Sequence, residues 1–175
     1  MGFKQPPGRS CPPIARIVRS CYDLSMSLVV QKFGGTSLAD PEKIHRAARR
    51  AIRAKLDGHR VVLVVSAMGH TTDELITLAR AVCADPPKRE LDVLLTTGEQ
   101  VSIALMAMAI DAAGHEAISL TAAQLGLLTD SVHSRARIQR ISRERIDREL
   151  ADARPAASWP VFAGVRSSKR GEMIK

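Results

Sequence analysis

The sequence predicts an α/β fold with a mainly parallel sheet, and three observations carry that prediction. Short β-branched runs alternate with longer segments of helical periodicity over residues 26–151. One run, Val61-Val62-Leu63-Val64-Val65, is apolar at every position, as expected for a strand covered on both faces. Aromatic residues make up only 3% of the chain, so Val, Leu, Ile and Ala must fill the core. That composition suits a sheet covered by Ala-rich helices.

The elements follow in order. Leu28-Val29-Val30-Gln31-Lys32 reads as the first strand and runs into a Gly34-Gly35 loop. Asp40 is a good helix N-cap, with Pro41 at the first helical position and Glu42 in the first turn. Ile44, Ala47, Ala48, Ala51, Ile52 and Leu56 then recur at helical spacing until Gly58. The polar face of that helix carries Arg46, Arg49, Arg50 and Arg53, read as a solvated surface although phosphate is a second partner for such a face. After the strand at residues 61–65 come a helix over about 73–83 and a Pro86-Pro87 break. A helical stretch over 90–113 is expected to break near Gly98 and to stop at Gly114. A strand at 116–120, a short one at 138–141 and a helix at 143–151 with Ile146 and Leu150 inward complete the pattern.

The net charge of +8 raises the question of nucleic acid, and its distribution answers it. Residues 1–25 and 152–175 each carry +3, while the 126 residues between carry +2. A nearly balanced middle is not the footprint of a basic binding face, so no nucleic-acid partner is expected. Cys11, Cys21 and Cys83 have neither the number nor the spacing of a disulfide framework or zinc site. Cys83 lies in an apolar helical context and is expected as a small core residue. No uninterrupted apolar run reaches the ~20 residues of a membrane span, and Arg16, Arg19 and Asp23 break any secretory signal, so a cytoplasmic location is expected. Residues 1–25, crowded with Pro6, Pro7, Gly8, Pro12 and Pro13, read as a disordered or mis-called extension, with Met26 an alternative start.

Three segments carry chemistry. Lys32-Phe33-Gly34-Gly35-Thr36-Ser37 lies where a strand ends, and ligands of open α/β sheets bind beyond the carboxyl ends of strands. Paired glycines let the backbone approach a phosphate, Thr36 and Ser37 add hydroxyls, and Lys32 adds a compact positive charge. The segment is neither a P-loop nor a Gly-x-Gly-x-x-Gly turn, and a purely structural Gly-Gly turn is the competing reading. Ser66-Ala67-Met68-Gly69, followed by Thr71-Thr72-Asp73, forms a second strand-end loop; its plainer reading is a turn with a Thr or Asp cap. Thr96-Thr97-Gly98-Glu99 lies in an apolar helical region, where an acid is costly to bury without compensation. Glu99 either caps a helix starting there or receives a ligand's ammonium group.

In this order and separation, the three segments closely resemble the aspartate kinase family. The likeness extends over residues 26–150 and includes Pro86-Pro87-Lys88-Arg89-Glu90-Leu91-Asp92 and Ala107-Met108-Ala109-Ile110. The resemblance implies the amino-acid kinase fold, a three-layer αβα sandwich, here truncated. It implies ATP-dependent phosphorylation of the L-aspartate side-chain carboxylate to 4-phospho-L-aspartate, the first step toward lysine, threonine and methionine. On that resemblance Lys32 contacts the phosphate in transfer, and Gly34, Gly35 and Thr36 bind the ATP phosphates. Ser66 and Gly69 line the phosphate end of the substrate cleft, and Thr72 and Glu99 hold L-aspartate, Glu99 through its α-ammonium. Mg²⁺ is expected to be held mainly through the ATP phosphates, with no metal site of protein ligands. A homo-oligomer is implied for the full-length family. An aspartate carboxyl is already ionised at neutral pH, with a reference pKa of about 3.9, so the reaction needs positioning and charge neutralisation rather than a general base.

The resemblance also has departures. Ile103 stands where the family usually has a polar residue, and Ala122-Ala123 where it has Gly-Ser. The family's Gly-Arg-Gly-Gly-Ser-Asp segment, the rest of its nucleotide-binding half and its ACT domains are not in the sequence. Residues 152–175 read as an aberrant, frameshifted segment: codons for Ser158-Trp159-Pro160-Val161-Phe162, shifted by one base, can spell the family's Val-Val-Ala-Gly-Phe. Pro155 and Pro160 are expected to damage a central strand there. Weak or absent kinase activity of the 175 residues alone follows. The alternatives are a kinase of another small acid, glutamate or acetylglutamate, and a non-catalytic small-molecule or partner-binding remnant.

Overall fold

A computed structural model describes residues 27–130, 136–151, 159–163, 166–167 and 173–174. The N-terminal extension, Cys11, Cys21 and Pro155 lie outside the described residues. The first strand, β1 (Leu28–Phe33), leads through a 3-10 turn (Gly35–Leu38) into α1 (Pro41–Leu56) and β2 (Arg60–Val65). Then come α2 (Thr71–Val82), α3 (Lys88–Asp111), β3 (Ala117–Leu120), β4 (Leu128–Thr129), β5 (Ile138–Arg140) and α4 (Glu144–Ala151). Three further strands, β6 (Trp159–Ala163), β7 (Arg166–Ser167) and β8 (Met173–Ile174), complete the described elements.

The central sheet has the order β1-β2-β6-β3, and every adjacent pair in it is parallel. Antiparallel pairs β4-β5 and β7-β8 lie outside it. One face of the sheet presents Phe33, Val61, Leu63 and Val65 to α1 and α3, and Leu38, Ile44, Ala51, Met106 and Ile110 close this core. The other face presents Val62 to Leu120, Leu125 and Leu150, with Ile146 packed alongside. Helices on both faces make three layers, as strict side-chain alternation along β2 requires. Leu63 and Val65 are fully buried, and each such burial contributes roughly 1.5–3 kcal/mol.

Local chemistry fixes α1 as read. The Asp40 side chain accepts a hydrogen bond from the Lys43 N–H at 2.8 Å, and Pro41 occupies the first turn. Four expectations change. First, α3 runs unbroken through Gly98, because the missing side chain there is used for packing rather than for a break: a Cβ at Gly98 would stand 3.3 Å from the Ala67 Cβ and 3.2 Å from the Thr71 Cγ2. Second, α3 is long and apolar enough by length and composition to cross a membrane, contrary to the sequence reading. Its Leu95, Gly98, Ser102, Ile103, Met106 and Ile110 are buried against the rest of the chain. Third, Cys83 is exposed rather than in the core, because α2 lies outside α3 and buries no residue completely; its thiol donates to the Asp85 carbonyl at 3.3 Å. Fourth, β6 forms in the middle of the sheet despite Pro160. Pro160 is in register with Ile118 of β3, and the register with β2 begins one residue later, at Val161.

Candidate functional site

The site is built at the carboxyl ends of β1 and β2. Parallel register aligns Lys32 with Val64 and Phe33 with Val65, so the two strands finish level and their loops leave side by side. The loops are then joined through the backbone. The Ser66 N–H donates to the Phe33 carbonyl at 3.1 Å, and the Gly69 N–H donates to the Gly35 carbonyl at 2.9 Å. Gly35 is required by this closeness: a Cβ there would lie 2.5 Å from the Ala67 carbonyl oxygen. Gly69 has φ of +44° and packs against Ala39, a backbone conformation that side chains disfavour.

Gly34 differs from Gly35. Its backbone is extended and a Cβ there would meet nothing within 4 Å, so the turn presents open space in front of Gly34. Behind it the Ser37 N–H donates to the Gly34 carbonyl at 3.0 Å, and buried Leu38 anchors the turn in the core. Thr36 and Ser37 are exposed. Lys32 is also exposed; alternation puts it on the sheet face opposite Phe33, away from α1 and α3. Its long stem can carry the ammonium group over the rim.

The third segment reaches the same rim through α3. Gly98 packs against Ala67, Thr71 and Leu75, so residues within and after the second loop touch the helix that carries Glu99. Glu99 is 7% exposed and lies in the middle of α3, so it caps no helix end. Ser66 and Thr72 are half-buried. Neither Thr72 nor Asp73 caps α2, whose N-cap is His70 with no side-chain cap. The Thr96 and Thr97 hydroxyls donate to the Val93 and Leu94 carbonyls, both at 2.7 Å, so they serve their own helix. The structure thus brings Gly35, Ala67, Gly69 and Gly98 into contact, with Lys32 on the opposite sheet face at the end of β1.

Sequence reasoning missed one feature. Phe33, Thr36, Ser37, Lys43, Arg46, Ala47 and Arg50 line a cavity of about 400 Å³ between the Gly-Gly turn and α1. Arg46 and Arg50 read in the sequence as a solvated surface with phosphate as a second partner, and what that reading lacked was the cavity they line together with Thr36 and Ser37. The signal was the spacing of 43, 46, 47 and 50, which is one stripe of a helix.

Comparison with known proteins bears on the family and the fold. A model described as the amino acid kinase family matches residues 27–172. An aspartokinase from Bacillus sp. (strain MGA3) is 54% identical over 129 residues, covering 74% of this chain and 31% of that protein. The chain therefore spans about a third of the length of the curated relatives it matches. The crystal structure of aspartate kinase from Synechocystis superposes with a TM-score of 0.69 at 38% identity, covering 85% of this chain and 23% of that one. E. coli aspartokinase III, in complex with aspartate and ADP, superposes with a TM-score of 0.67 at 16% identity, covering 85% and 43%. At that identity the likeness speaks for the fold alone.

Proposed function

The chain belongs to the amino acid kinase family, and we propose that it is the N-terminal part of an aspartate kinase, using ATP to phosphorylate the side-chain carboxylate of L-aspartate. The observation that supports this reading most is the meeting of three sequence segments at one rim: the Gly34-Gly35 turn, the Ser66-to-Gly69 loop and the Gly98-Glu99 stretch of α3. In this reading the open space before Gly34 receives the ATP phosphates, with Lys32 and Thr36 beside them. Ser66 and Gly69 line the phosphate end of the cleft. Thr72 and Glu99 hold L-aspartate, the buried Glu99 carboxylate receiving its α-ammonium in a charge-assisted contact.

Among the described residues no group of three His, Cys, Asp or Glu could hold a metal ion. In this reading Mg²⁺ would be held chiefly through the ATP phosphates, where it neutralises charge. The chain's own part is to hold the acceptor carboxylate, bring glycine backbone against the phosphates and place the Lys32 charge near them. The soluble enzymes of lysine, threonine and methionine synthesis are the setting this reading implies. Because the chain spans about a third of the length of its relatives, weak or no turnover is expected from the 175 residues alone.

Calorimetric titration of the chain with L-aspartate, L-glutamate and N-acetyl-L-glutamate tests the substrate. L-Aspartate should bind most tightly; preference for either of the others would replace the reading with another small-acid kinase.

A further inference from the structure

The cavity beside α1 shares Thr36 with the proposed reaction, but its three cations, Lys43, Arg46 and Arg50, have no part in that reaction. Among the described residues its polar lining consists of the Thr36 and Ser37 hydroxyls, Lys43, Arg46 and Arg50, with no carboxylate. Phe33 and Ala47 supply an apolar wall, and that low-dielectric side strengthens the field of the cations. Its volume of about 400 Å³ falls within the ~300–1,000 Å³ of small-ligand sites.

The charge balance nearby decides what such a cavity can hold. Asp40 pairs with Lys43 at 3.2 Å, and Glu42 pairs with Arg46 at 3.3 Å, both at exposed positions. Exposed pairs of this kind contribute little and exchange readily, so both cations can turn toward a ligand. Arg50 makes no hydrogen bond or ion pair with any described residue, and its guanidinium carries a planar fork of donors that matches phosphate oxygens. Arg49 and Arg53, on the same helix and also exposed, do not line the cavity.

We propose that this pocket is a phosphoryl-binding site, with Arg50 as its main donor and Arg46, Lys43, Thr36 and Ser37 completing the cradle. The ligand is a phosphate group, supplied either free or as part of a nucleotide tail that extends past Thr36. The nucleotide-tail source rests on the aspartate kinase reading through Thr36, whereas the site itself needs neither Glu99 nor L-aspartate.

The test is a ³¹P NMR titration of the 175-residue chain with inorganic phosphate, alongside the variants Arg50→Ala, Arg49→Ala and Arg53→Ala. All three lose one exposed positive charge from α1, so non-specific attraction falls equally in each. The proposal predicts saturable phosphate binding that weakens about tenfold or more in Arg50→Ala and changes less than about twofold in the other two. ATP and AMP added as competitors separate the sources. Displacement by ATP but not AMP assigns a polyphosphate tail, and displacement by neither assigns free phosphate. Absence of saturable binding, or equal weakening in all three variants, would overturn the proposal. Aspartate affinity, measured on the same samples, should not change in Arg50→Ala, which keeps this result separate from the kinase reading.

Discussion

At the scale of single residues, the two glycines of the first turn have different reasons to be glycine. Gly35 is constrained by the fold, because a methyl group there would run into the Ala67 carbonyl. Gly34 is free of such contact, so its lack of a side chain matters for what approaches from outside. Gly35→Ala should therefore cost about 1–3 kcal/mol of stability in thermal or urea unfolding, as overpacking does. Gly34→Ala should unfold within about 0.5 kcal/mol of the parent yet bind ATP more weakly. Equal stability losses in the two variants would contradict this division. The sequence showed the Gly-Gly pair but could not show which member touched protein, since that depends on Ala67, more than 30 residues away. Cys83 was misread for a related reason. An apolar neighbourhood along the chain does not reveal that α2 lies outside α3.

At the scale of elements, legibility followed the strength of local signals. Helix α1 was readable in full because Asp40, Pro41 and a regular Ala stripe all state the same thing. Asp40 gives this helix a pH dependence whose sign can be worked out. The hydrogen bond from the Lys43 N–H, helped by the positive charges of Lys43 and Arg46, holds its carboxyl below the ordinary carboxylate value. A depressed folded pKa contributes stability above the unfolded pKa and loses it as pH falls through the folded one. Asp40→Ala should lower the melting temperature at about pH 7, and the gap from the parent should narrow toward about pH 3. A gap that widened on acidification would contradict the capping role. Helix α3 was misjudged because glycine was weighed as a local breaker, while tertiary packing against Ala67 decided its place. The two-residue strands β4, β7 and β8 carry no period to read, and β6 was discounted for a proline that stands just before its ladder with β2.

At the scale of the whole molecule, the α/β class and the parallel sheet followed from strand–helix alternation, but the order β1-β2-β6-β3 did not. Inserting β6 between β2 and β3 is a long-range choice that no local pattern encodes. Among the described residues the same layering leaves part of one sheet face uncovered. On β1, Val30 is 60% and Leu28 44% exposed, on the face away from α1 and α3. An apolar edge strand open to water favours self-association. Val30→Lys should raise the concentration at which the chain begins to associate in sedimentation velocity, with little change in melting temperature. An unchanged association threshold would locate the sticky surface elsewhere.

The proposed function requires that the rim hold an amino acid through the buried Glu99 carboxylate. The most direct measurement is the L-aspartate titration carried out on the parent chain and on Glu99→Gln. Gln has nearly the same shape but no charge for an α-ammonium group, and loss of a charge-assisted bond weakens binding by about 10- to 100-fold. The account predicts that loss, with the melting temperature of the variant close to that of the parent. Equal L-aspartate affinity in the two proteins, or no saturable binding to the parent, would contradict it.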